Sequence, residues 1–325
     1  MGNELQTLKL ALKEDYMRNE MKMPEQITKS KREKKKKKKK VKDLFNQKIE
    51  DEIEKLALKG IIKDYPKTKI EDYIGDPNFA GEDLRCNLVA AIPFQNDVKF
   101  FWWERCREVI HGFHKILLVG PRGGGKTKLV RALASINNAI LFELDPIAVQ
   151  GDFLSAVYLQ QLVQEVAACA RSVQPAVIHI KHVEKLFYLK VPPEEAEMSL
   201  DLIKNFFIQK LFRQFKKTDQ VTIIGSCVDP WLAKSKSMIK QFPTILLLPN
   251  TNYSVVFQML KTWIANYSVI PADFNVSNLA YVLQGYSFGY LKEVLTKFMS
   301  ADRIAHIAAF KLSPMEVYIF ILEDD

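Results

Sequence analysis

Eight consecutive residues, Gly120, Pro121, Arg122, Gly123, Gly124, Gly125, Lys126 and Thr127, bring together the groups that a bound phosphate requires. Glycines at four of these positions let backbone N–H groups converge on an anion with no Cβ in the way. Lys126 supplies a cation for the β- and γ-phosphates of a nucleotide, and Thr127 a hydroxyl for a magnesium ion. The spacing fits G-x-x-x-x-G-K-[ST], which carries meaning only between a strand and a helix. Hydrolysis needs a second set of groups at the end of a neighbouring strand, an Asp for the metal and a Glu to polarise the attacking water. The strand in PAVIHIKHVEKLF (Pro175 to Phe187) places Lys181 and His182 there instead. A lysine repels a hydrated cation, and a histidine that could act as a base near neutral pH has little to work on without the metal. Glu184 is the alternative acid, but the register puts it beyond the strand end, in a helix cap.

The elements that must hold these groups are legible around them. KILLVG (115–120), AILFEL (139–144), AVIHI (176–180), VTIIGS (221–226) and TILLLP (244–249) are short, continuously apolar, β-branched runs suited to strands of a parallel sheet covered on both faces. Helical stretches alternate with them at 126–135, 154–171 and 200–215, the last two carrying Leu159, Leu162, Val163 and Val166, and Ile203, Phe206, Phe207, Ile208 and Leu211. The alternation predicts a parallel three-layer α/β domain over 94–250, and the Gly120 to Thr127 motif between its first strand and first helix makes it a P-loop NTPase-type one. Beyond it, 251–325 reads as a small helical domain of three amphipathic helices. Before it, 1–59 reads as a helical, Lys-rich extension, and 60–93, punctuated by Pro66, Gly75, Pro77, Gly81 and Pro93, as a loop-rich arm that wraps a neighbour. Trp102 and Trp103 are expected to pack that arm onto the core.

The formal charge of +9 is concentrated rather than spread. Residues 31–42 hold ten basic side chains and one acid, and the remaining 37 basic and 37 acidic residues balance. The globular part is therefore no generic nucleic-acid surface. The run Lys34, Lys35, Lys36, Lys37, Lys38, Lys39 and Lys40 could dock on a polyanion by counterion release, but it lacks the aromatic neighbours that stack on bases, so nucleic acid is disfavoured as a partner. Four scattered cysteines form no zinc or disulfide pattern, and no apolar run approaches the roughly 20 residues of a membrane span. A soluble, intracellular protein in a reducing compartment is expected.

The strand-loop-helix at 115–135, the altered strand end at 181–182, GSCVDP (225–230) and the Gly-Tyr-Ser at 285–287 together resemble an AAA-type ATPase module over about residues 88–310. The Lys-rich tract, KTKIEDYIGDPNFAGEDLR (67–85) and QPAVIHIKHVEKLFYLKVPPEE (174–195) are similar to the IQ- and AAA-domain-containing proteins, a family that includes a subunit of the dynein regulatory complex of motile cilia. The resemblance implies ATP or ADP as ligand, a place in the cytoskeleton of the ciliary or flagellar axoneme, and other dynein regulatory complex subunits and the tubulin surface as partners. It also implies a sensor asparagine where Val228 stands and an arginine finger near Lys240 to Thr244, where there is no arginine. Phe153 and Leu154 fall where the family carries a substrate-gripping loop, while the residues by themselves read as the buried start of a helix. No IQ motif is present, so calmodulin is not an expected partner, and the short C-terminus suggests a truncated or alternative form of a longer protein.

Two expectations follow. The chain binds nucleotide but is impaired in hydrolysis, because losing one stabiliser of transition-state charge costs roughly 3 to 4 kcal/mol and three parts are altered here. The alternatives are an active ATPase remodelling a protein partner, and a nuclear or nucleic-acid-associated protein using the lysine run. If Lys181 points at the phosphates, it replaces part of the metal's charge and nucleotide affinity depends little on magnesium.

Overall fold

Alternation within the five apolar runs decides which side chains enter which layer. In the computed structural model, which describes residues 49–74, 95–108, 112–148, 155–271 and 273–324, β1 (His114–Val119) sends Leu117 to one core and Ile116 and Leu118 to the other. It pairs in parallel with β4 (Val221–Cys227) and β5 (Thr244–Leu247), and β3 (Ala176–Ile180) pairs with β4 and with β2 (Ile140–Leu144). The strand order is β2-β3-β4-β1-β5, all parallel, as the continuous apolar runs require. The chain leaves β1 toward β2 on one side while β5 lies on the other, so a crevice opens at the C-terminal end of β1, where α/β sheets bind ligands.

One face of the sheet is covered by α1 (Gln95–Glu108) and α2 (Lys126–Ile136), through Val98, Trp102, Leu129, Val130 and Leu133. The other is covered by α3 (Ala156–Ser172) and α4, which begins as Leu200–Lys204, widens into a π-helical stretch at Asn205–Lys210 and closes with Leu211–Arg213. The π stretch corrects the uniform helix expected over 200–215. Phe206, Phe207 and Ile208 are consecutive and all buried, which a regular 3.6-residue repeat cannot arrange on one face, whereas the wider turn brings all three to the core.

After α5 (Ser235–Gln241) and β5, the helical domain contains α6 (Tyr253–Ala265), α7 (Val276–Val282), α8 (Phe288–Phe298), α9 (Ala301–Ala309) and α10 (Pro314–Asp324) around Leu260, Leu279, Leu291, Leu295, Val317 and Ile321. Sequence predicts three helices here, and the structure forms five among the described residues. The long one expected over 289–310 breaks at Met299, because Ser300 accepts a hydrogen bond from the Arg303 N–H and caps a new helix. The terminal apolar run, outside the three expected helices, becomes α10 and contributes Val317 and Ile321 to this core.

Residues 60–74 run over the sheet edge toward the nucleotide motif. Ile62 bridges Phe142 antiparallel at the edge of β2, the Tyr65 hydroxyl donates to Ala139 O at 2.7 Å, and Thr68 N–H donates to Ser135 Oγ at 3.1 Å. Ile70 and Tyr73 then enter the core beside α2, and Ile74 packs on the helical domain. Trp102 is fully buried in that cluster and donates its indole N–H to Leu129 O at 2.8 Å, but Trp103, the other tryptophan assigned to packing, is 41% exposed. Both lie on α1, a helix that the sequence reading missed.

The chain divides into two compact units, 1–51 and 52–325. The lysine run Lys34 to Lys40, most of the expected 1–59 extension, residues 75–93 of the arm, Cys86, and Phe153 and Leu154 lie outside the described residues. Cys106, Cys169 and Cys227 are buried, free thiols. Among the described residues, no helix is long and apolar enough to cross a membrane.

One buried polar pair on β3 and β4 makes the sheet sensitive to acid. His179 is fully buried, with Nε2 3.1 Å from Ser226 Oγ and no partner for Nδ1. Burial lowers its pKa from 6.5 to about 4; Glu143 opposes the shift, and Lys181, Arg131 and His182 reinforce it. The unfolded chain therefore takes up the proton first as pH falls. The stability contributed by the neutral ring is complete above pH 6.5 and is lost between pH 6.5 and 4, by about 3 kcal/mol. Denaturant unfolding at stepped pH is expected to show this loss, and His179→Gln is expected to flatten the profile across that window.

Candidate nucleotide-binding site

The turn from β1 into α2 carries the Gly120 to Thr127 motif to the crevice. Two left-handed glycines shape it, Gly123 at φ 79° and Gly125 at φ 92°, the latter capping α2. Each is also closely approached. A Cβ on Gly123 would lie 2.6 Å from Ser287 Oγ, and one on Gly125 would lie 2.8 Å from the Tyr73 ring. The loop is thus enclosed by the arm on one side and the start of α8 on the other. Gly289 N–H donates to Gly123 O at 3.0 Å, and a Cβ on Gly289 would come within 2.9 Å of Gly123 Cα. Ser287, in the Gly-Tyr-Ser noted in sequence, caps α8 by accepting from Tyr290 N–H.

Lys126 is 9% exposed and folds back on its own loop, donating to Gly120 O at 2.7 Å and Pro121 O at 2.8 Å. Burial lowers its pKa, and Glu184, Cys227 and Asp229 work against that shift. The amine is therefore held on carbonyls that a phosphate oxygen would replace, with acidic side chains near it. Pro121 and Thr127 are partly buried, Arg122 is exposed and Gly124 is buried. The Tyr73 hydroxyl is buried without a partner, and burial pushes its pKa well up.

The strand-end residues separate. Lys181 donates to Glu143 on β2 at 2.9 Å, and Lys63 of the arm reaches the same carboxylate at 3.2 Å. Burial works to raise the Glu143 pKa, but hydrogen bonds from the two lysines bring it below the usual carboxylate range. The Lys181 amine is thus engaged with β2, which corrects the expectation that it serves the phosphates, and with it the expected indifference to magnesium. His182 adopts a left-handed backbone, φ 48°, and turns the chain into the 3-10 helix Val183–Phe187. Glu184 stands in the first turn of that helix, beyond the strand end as the register implied, but its side chain is buried. Glu184 is 3% exposed; its Oε1 lies 3.6 Å from His182 Nδ1 and its Oε2 has no partner. The Cys227 thiol, at the end of β4, is held far above the ordinary thiol range by burial first, then by the charge of Glu184 and a hydrogen bond to it. A buried polar atom left without a partner costs about 1 to 3 kcal/mol, more for a charged group. Val228 and Asp229 are partly buried beside this strand end, and Lys240 is exposed on α5. Sequence reading missed Tyr73, Gly289 and Asp229. Gly289, close behind the Gly-Tyr-Ser at the start of a helix, was the available signal for the second.

Residues 116–250 match the model of the ATPase family associated with various cellular activities (AAA). The chain carries an AAA module. Over 286 residues it is 27% identical to Dynein regulatory complex protein 11 of Mus musculus, covering 83% of this chain and 33% of that protein. Over 249 residues it is 25% identical to Spastin of Xenopus laevis, covering 76% of this chain and 39% of that one. The chain thus spans about a third to two fifths of the length of these curated relatives. The AAA module also shares its fold with the FIGL-1 AAA domain in complex with ADP, at a TM-score of 0.54 and 16% identity over 80% of this chain and 85% of that one. A structure described as the basis for katanin self-assembly matches at a TM-score of 0.52 and 15% identity, over 82% and 88% of the two chains.

Proposed function

We propose that this AAA module binds ATP or ADP at Gly120 to Thr127 and is impaired in hydrolysis, acting as a scaffold subunit of a dynein regulatory complex in the axoneme. The observation that carries the reading is the preserved cradle, with Lys126 buried and poised on exchangeable carbonyls, beside a strand end whose lysine is tied to Glu143. ADP in the related FIGL-1 structure supports the ligand, and similarity to Dynein regulatory complex protein 11 supports the assembly and its location. The lysine run is an accessory that docks the protein on an acidic surface such as tubulin.

In this reading backbone N–H groups of the loop hold the phosphates, Lys126 moves from Gly120 O and Pro121 O to a phosphate oxygen, and the Gly123–Gly289 contact couples the loop to the helical domain. The site also suits a magnesium ion, because Glu184 presents a buried oxygen without a partner and Thr127 keeps its hydroxyl. Bound there, the ion would neutralise charge on the β- and γ-phosphates. Glu184 also favours a second reading, a slow ATPase in which it or His182 serves as base. Steady-state phosphate release on nucleotide-saturated protein separates the two. The scaffold reading expects turnover far below one per second; turnover near that rate, abolished by Lys126→Ala, would overturn it.

A further inference from the structure

We propose that Glu184 is the protein carboxylate that faces the nucleotide's divalent cation, in place of the strand-end acid whose position Lys181 fills. This rests on the reading that Gly120 to Thr127 binds nucleotide. Two independent features support it. Lys181, Glu143 and Lys63 form a closed ion-paired group on the β2 side, which leaves no free carboxylate at the strand end itself. Glu184, one 3-10 turn further on and next to Val183, which packs on Gly225 of β4, is 3% exposed and offers an oxygen without a partner, and its charge acts on Lys126 and on Cys227 at the end of β4.

Magnesium chemistry suits such a sparse site. The ion is held by one or two protein carboxylates, with substrate phosphates and water completing its octahedron. The described residues contain no cluster of three or more His, Cys, Asp and Glu able to hold a metal unaided, so cation and nucleotide are expected to bind together. Asp229, two residues beyond β4, is a second carboxylate whose charge acts on Lys126. When phosphates draw Lys126 away from its carbonyls, the Glu184 charge faces an anion. A cation between them turns repulsion into a bridge, and without it the carboxylate opposes binding.

The test compares Glu184→Gln with the wild type, using fluorescent ADP titrated in magnesium and again in EDTA. Wild type is expected to bind at least tenfold more weakly in EDTA, and the variant to differ less than twofold between the two conditions, with EDTA affinity above that of wild type. Manganese gives a readout independent of the fluorophore: with ADP present, wild-type protein is expected to deplete the free-ion EPR signal and the variant to leave it. An equal magnesium ratio in both proteins overturns the proposal while leaving the nucleotide reading intact, and absence of ADP binding to wild type in either condition overturns both. Should Glu184→Gln not fold, Glu184→Asp, which draws the charge back by one methylene, is expected to cut the ratio more than threefold, and an unchanged ratio there overturns the proposal equally.

Discussion

Replacing Lys126 by alanine is expected to lower affinity for ADP and ATP by about a hundredfold, from loss of a charge-assisted phosphate contact worth roughly 1.5 to 3 kcal/mol plus the charge attraction around it. The site geometry explains why the effect is large and why it is confined to binding. The amine is enclosed and already stripped of most of its water, so little desolvation remains when a phosphate oxygen takes the place of Gly120 O and Pro121 O. No core cluster includes the Lys126 side chain, so the variant is expected to keep its far-UV circular dichroism. Thermal melting provides the second readout. A ligand at a hundred times its Kd stabilises the native state by about 2.7 kcal/mol, so the ADP concentration that does this for wild type is expected to stabilise a variant of hundredfold weaker affinity by only about 0.4 kcal/mol. An equal ADP shift in both proteins would show that the cradle does not depend on Lys126.

Trp102→Ala is expected to be the most destabilising single substitution considered, at about 3 to 5 kcal/mol in equilibrium denaturation. The indole is fully buried where α1, α2 and the arm meet, and its N–H bonds Leu129 O within the helix that opens on the phosphate loop. Truncation leaves a cavity among Ile70, Tyr73, Leu129 and Leu133, too large for neighbouring side chains to refill. The arm's hold on Gly125 is expected to loosen with it, because Tyr73 closes the loop from the same cluster. Trp103→Ala, on the exposed side of the same helix, is expected to cost less than half as much. Equal losses at the two positions would contradict the burial that distinguishes them.

Much of the fold was legible because it is written in local patterns. The five strands lie within one or two residues of their apolar runs, and α2 and α3 start and stop close to where periodicity placed them. The phosphate loop was legible for the same reason: glycines, lysine and threonine at fixed spacing between a strand and a helix describe one continuous piece of backbone. Errors arose where a local rule was overridden. The π stretch in α4 follows from the need to bury Phe206, Phe207 and Ile208 together, a demand imposed by the sheet beneath. The break at Met299 depended on one capping serine inside an otherwise helical pattern. Gln95–Glu108 lacks a clear amphipathic stripe, so its helix was not called for by periodicity alone.

The amino-acid sequence by itself determined a parallel α/β sheet, a glycine-rich loop of phosphate-binding pattern between a strand and a helix, and a helical domain after it. All of these depend on residue type and on separations of a few residues, which a chain carries before it folds. Only the tertiary structure decided which charges meet. Lys181 turns to Glu143, 38 residues away, Gly123 meets Gly289 at the start of the helical domain's α8, and the left-handed His182 leads into the turn that buries Glu184, whose charge acts on Lys126. Such pairings follow from how distant elements pack, and burial sets their strength, so neither could be read from spacing along the chain.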